Sequence, residues 1–186
     1  MTHGCDGHPG VGGGLQEAVD CGICGEVGLK DTGAVGRREP GMIEYELVTV
    51  SAREPWTTVA RGGNWVVVIE YHDGEWTCPA PELGGEGRSV GPDGRDSQGR
   101  LSLAPVGLGY PLAGAPRGAL VGRVLDDDGR PGEPFLVGRR TSVGPFPWAN
   151  PEYFLIQVGP NVLKPVRARG AMQVRVRRER VEEETI

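Results

Sequence analysis

Two cysteines with a metal-ligand spacing, Cys21-Gly22-Ile23-Cys24, stand downstream of His3, Cys5 and His8. Thiolates and imidazoles so arranged hold zinc tetrahedrally, and Cys5, Cys21, Cys24 and His8 form one candidate set. A second C-x-x-C is missing, so the set falls short of the usual four-ligand pattern. The plainer reading is a tail with reduced thiols, or with a disulfide inside it. Residue 25 is Gly rather than His, which argues against covalent haem attachment. A second cluster, Asp93, Arg95, Asp96 and Gln98, carries groups that hydrogen-bond sugar hydroxyls, and Trp76 and Trp148 offer rings for a sugar to stack on. The plainer reading makes these aspartates turn residues of "GPDG" and these tryptophans core. Residues 159–170 make a third candidate, a long loop holding Asn161, Lys164, Arg167 and Arg169 but no carboxylate. Loops of that length are often functional.

Catalysis finds little to work with. Of the three histidines, two lie before residue 10 and His72 sits beside Asp73-Gly74, with no nucleophile–base pair in view. The chain shows no G-x-S-x-G, H-E-x-x-H or Walker A pattern, and "GVGGG" (residues 10–14) neither follows a strand nor opens a helix. Asp126-Asp127-Asp128-Gly129 invites a calcium reading, but the bidentate Glu of an EF-hand would fall on Val137. An acidic hairpin turn is the simpler account.

The elements that must position these residues are strands. Gly 32 and Pro 16 among 186 residues approach low-complexity composition, yet the patterning from Met42 onward is that of a folded domain. Residues 1–41 hold twelve glycines, six acids and three bases, too little apolar surface to offset the entropy of ordering; they are expected to be a flexible arm. Residues 42–180 are expected to form the domain, and residues 181–186 a polar tail. "IEYELVTV" alternates, with Ile43, Tyr45 and Leu47 on one face and Glu44 and Glu46 on the other. "NWVVVIEY" (residues 64–71) reads as a central strand, and "HDGE" after it as a hairpin turn. Further strands are expected over 118–124, 134–137, 153–158 and 171–178, with Val66, Val68, Leu120, Val124, Leu155 and Val174 in the core. Short strands with Gly/Pro punctuation and almost no helical signal indicate an all-β, antiparallel β-sandwich.

A net charge of −5 and a pI near 5.3 argue against nucleic-acid binding. No apolar run reaches the length of a membrane span, and the N-terminus lacks the order of a signal peptide. The expected setting is soluble and cytoplasmic. The four cysteines do not settle the redox compartment.

Several segments, in order, resemble one family, the PA-IL-type (LecA-like) bacterial galactose-binding lectins. "TTVARGGNWVVVIEYHDGEW" (57–76) is similar to the family's strand, turn, strand and Gly-Trp sequence, and "VGPDGR" (90–95) to its Gly-Pro-x-Gly loop. "RGALVGRV" (117–124) and "PFLVG" (134–138) follow, then "EYFLIQV" and "GAMQVRV" resemble the last two strands. The resemblance covers about residues 45–178 and implies a jelly-roll-like, lectin-like sandwich that binds sugar through calcium. It also places the calcium ligands in the loop between the last two strands. There Gly159 stands where an Asp is expected, and Arg167 and Arg169 stand near an expected Asn pair. Calcium takes oxygen ligands, usually with carboxylate charge, so neither calcium nor any other cofactor is expected, apart from zinc on the arm.

The expected function is a non-catalytic interaction module, docking onto a protein partner or larger assembly through its loops and arm. The alternative is a carbohydrate-binding protein with a calcium-independent or relocated site.

Overall fold

The computed structural model describes residues 44–80 and 85–181. Within them run nine strands: β1 (Glu46–Ser51), β2 (Thr57–Arg61), β3 (Trp65–Ala80), β4 (Gly85–Val90), β5 (Leu120–Leu125), β6 (Phe135–Leu136), β7 (Arg140–Val143), β8 (Leu155–Pro160) and β9 (Arg169–Arg180). The described residues are all-β, with two antiparallel sheets packed together. One has the order β1-β9-β3-β4, with β7 also paired to β3; the other has the order β2-β8-β5-β6. No helix among the described residues is long and apolar enough to cross a membrane. The arm expected over 1–41, with its cysteines and histidines, lies outside the described residues, as do Ile43 and the tail beyond Val181.

β9 shows how sequence becomes sheet. Met172, Val174 and Val176 alternate with polar residues and all three are buried, the period-2 signature of a strand with one covered face. Val50 and Val48 of β1 lie opposite Met172 and Val174, and Ile69 of β3 lies opposite Val176. Leu120 of β5 and Ile156 and Val158 of β8 close the same core from the other sheet. Each such side chain contributes about 1.5–3 kcal/mol by leaving water.

Three expectations change. The apolar face Tyr45–Leu47 points outward, 53% and 45% exposed, because Val48 and Val50 set the inward parity of β1. The ring of Tyr45 lies beneath the Arg175 guanidinium, 5.1 Å from centroid to carbon. In the β-branched run of β3, Val67 and Ile69 enter the core cluster; Val68 is buried outside it and Val66 is only half-buried. Leu155 is likewise half-buried while Ile156 takes the core position, and Val124 packs at the margin of the cluster. Finally, the chain does not reverse at "HDGE". β3 runs on for 16 residues, since β9 continues beside it and the surplus residue is absorbed as a bulge at His72. Gly74 has φ +94, and a Cβ there would lie 3.1 Å from the Met172 Cα, so this glycine serves close strand approach rather than a turn. β4 and β7, which border the two halves of β3, were not among the expected strands.

Candidate functional site

The cluster Asp93, Arg95, Asp96 and Gln98 falls in the loop after β4, where Asp96 acts as a turn organiser. Its Oδ1 accepts the backbone N–H groups of Gln98 and Arg100, each at 2.9 Å, and its Oδ2 accepts Arg100 Nε at 2.9 Å. Gly99 closes the turn with φ +75. The same construction recurs at Asp126, whose Oδ1 accepts the N–H groups of Asp128 at 3.0 Å and Arg130 at 2.8 Å, with Gly129 also at φ +75. Both segments read D-x-x-G-R, Asp96–Arg100 and Asp126–Arg130, a short repeat that hydrophobic patterning does not show. Desolvation pushes the Asp96 carboxyl up, but the hydrogen bonds from Arg100 and Gln98 outweigh it and hold the group below its usual range. The carboxylates of the acidic turn are occupied in kind: Asp127 accepts the Asn150 N–H at 3.1 Å and Asp128 pairs with Arg130 at 3.0 Å.

Asp93 caps the Arg95 N–H weakly, at 3.4 Å, and lies 3.9 Å from both Arg95 and Arg139. Arg95 reaches the Gly99 carbonyl at 2.8 Å, and Gln98 is exposed. Of the candidate ligand-binding residues, Trp76 and Asn161 are corrected. Trp76 is 1% exposed and its indole N–H donates to the Gly118 carbonyl at 2.6 Å, leaving no face for a ligand. Asn161 is wholly buried. Its Oδ1 accepts the Leu112 N–H at 3.0 Å, while its Nδ2 donates to the carbonyls of Leu112 at 2.9 Å and Pro116 at 3.1 Å. A buried amide with three such bonds is a structural tie, not a ligand contact. Trp148 is 76% exposed and meets Phe146 edge to face.

β8 extends to Pro160 and β9 starts at Arg169, so the long loop shrinks to residues 161–168 and crosses between the sheets. Its start is crowded. A Cβ on Gly159 would lie 2.9 Å from the Pro55 carbonyl carbon and closer still to its oxygen, so the place where the lectin resemblance expects an aspartate has no room for any side chain. Lys164, Arg167 and Arg169 are exposed. Among the described residues no three His, Cys, Asp or Glu side chains group closely enough to hold a metal ion.

The tie at Asn161 secures a segment, residues 101–116, that holds none of the candidate site residues. From Leu101 to Pro116 no residue is charged. Leu103 bridges to Pro116, and the Ala104 N–H to Ala115 and Gly114 N–H to Ala104 bonds, both 2.8 Å, fold the segment into an irregular hairpin. Leu101, Leu103, Val106 and Leu108 stand out from it, Val106 being 84% exposed. The uncharged run was the available signal.

Comparison with known proteins finds no match: no family model, no curated protein and no solved structure matches the chain.

Proposed function

We propose that this chain is a non-catalytic interaction module that docks a protein partner through the hairpin of residues 101–116. One observation carries the reading: four large apolar side chains held out to solvent on a hairpin tied down by backbone bonds and by Asn161. Large apolar side chains exposed together on one short segment are a feature of interaction sites, and holding the segment in one conformation lowers the entropy cost of binding. The sheets act as a rigid scaffold, a jelly-roll-like and lectin-like one by the resemblance of segments 57–76 to 171–176. Function follows the site rather than such a resemblance.

The test is a paired capture from the protein's own cells, using the full chain and a Leu103→Ser/Val106→Ser variant, followed by mass spectrometry. A partner held by the native chain and lost by the folded variant supports the reading. Identical capture by the two refutes it.

Carbohydrate binding is kept as a second reading by Trp148, whose ring is open to solvent and can take the apolar face of a sugar. A glycan array with a Trp148→Ala control tests it.

A further inference from the structure

An open cleft of about 440 Å³ adjoins the apolar hairpin at Gly109 and Pro111. Its described walls are mostly apolar, chiefly Pro55, Trp56, Pro134, Val162 and Leu163, and Arg123 is the one charged residue among those described. The sheet holds that arginine in place. Arg123 of β5, Gln157 of β8 and Thr58 of β2 are successive cross-strand partners. Arg123 Nε donates to Gln157 Oε1 at 2.9 Å, and Gln157 Nε2 donates to Thr58 Oγ1 at 3.2 Å. The guanidinium lies over the Trp56 ring, 4.3 Å from its centroid, a stacking that fixes its plane. No carboxylate among the described residues pairs with it, although the cleft partly dehydrates it and lowers its proton affinity. A fixed, partly dehydrated cation without a counter-ion is half of an anion site.

We infer that this cleft binds a small monocarboxylate with a flat apolar body. The carboxylate meets the Nη groups of Arg123, which bond to no other group among the described residues, and the body packs on the proline and leucine walls. The charge follows from the count of one: a single guanidinium matches one negative charge, and apolar walls disfavour a dianion. A sugar fits poorly, because its hydroxyls would find few polar partners. The volume lies in the range of small-molecule sites, roughly 300–1,000 Å³. This inference goes beyond the docking reading and stands without it.

The test uses calorimetric titration of the full chain with 1-naphthylacetate and with its neutral amide. The acid is expected to bind at least about tenfold tighter than the amide, as a charge-assisted contact supplies that margin. Arg123→Gln should erase the difference. Gln157→Glu, which sets a carboxylate against Arg123 from within, should weaken the acid and spare the amide, so the result does not hang on one variant. Leu103→Ser/Val106→Ser should keep the acid preference, which separates failure here from failure of the docking reading. Equal affinity for acid and amide, no binding of either at millimolar concentration, or an acid preference that survives Arg123→Gln would overturn the inference.

Discussion

Asn161 and Leu112 pair as two strand residues would, the side-chain amide of one exchanging two hydrogen bonds with the backbone of the other, at 3.0 and 2.9 Å. A third bond reaches Pro116, and the Asn161 backbone binds Gly118 and Ala119, each at 2.9 Å. One residue thus joins the end of β8 to the hairpin that displays Leu103 and Val106.

Asn161→Ala should therefore destabilise the chain by about 3 kcal/mol, since it strands three backbone groups at roughly 1 kcal/mol or more each. Denaturant unfolding measures this, and hydrogen exchange should show the Leu112 amide losing protection first. A change within 0.5 kcal/mol would mean that the hairpin stands without its tie.

Burial pushes the Cys78 thiol from 9.0 up to about 12. The native chain keeps it protonated at pH 8, so iodoacetamide should leave Cys78 unmodified until the protein unfolds. The unfolded thiol ionises near 9 and the folded one does not, so folding binds the extra proton. Its contribution to stability is complete below pH 9 and declines as pH rises toward 12. Cys78→Ala should flatten that alkaline slope relative to the native chain.

The sign is opposite for Asp96. Its carboxyl is held below the ordinary 3.8, so its contribution is present above pH 3.8 and lost as pH falls through the lower folded value. Asp96→Asn keeps an acceptor oxygen for the turn and should lose less stability on acidification than the native chain does. Acid titration followed by circular dichroism reads the difference.

Calcium should not raise the melting temperature. A ligand at a hundred times its dissociation constant stabilises by about 2.7 kcal/mol, and loop 161–168 contains no carboxylate to hold it. Introducing the missing acid should not help: Gly159→Asp drives a side chain into the Pro55 carbonyl, and should lower the melting temperature with or without calcium. A chelator-sensitive rise would place an ion site elsewhere, with Asp126–Asp128 the first place to look.

Where alternation is strict the sequence can be read directly, as in β9, where Val174 faces the core as expected and Met172 and Val176 share its face. In "WVVVI" every residue is apolar, so no pattern distinguishes Val67 and Ile69 from Val66 and Val68; sheet packing decides. The bulge at His72 is not legible in the sequence because Asp-Gly is also a strong hairpin signal, and the presence of β9 alongside keeps the strand going. Trp76 is core, and Asn161 turns inward to bond Leu112, a partner 49 residues away in sequence that spacing does not reveal. Arg123, Gln157 and Thr58 meet only through strand register, which the sequence does not print.

The most direct test of the docking proposal is hydrogen exchange on the chain bound to the partner recovered by the paired capture. Protection gained on binding should centre on residues 101–109, and Leu103→Ser/Val106→Ser should remove it while the strands keep their native protection. Protection confined to the β1–β9 face, with residues 101–109 exchanging as freely as in the isolated chain, would contradict the account.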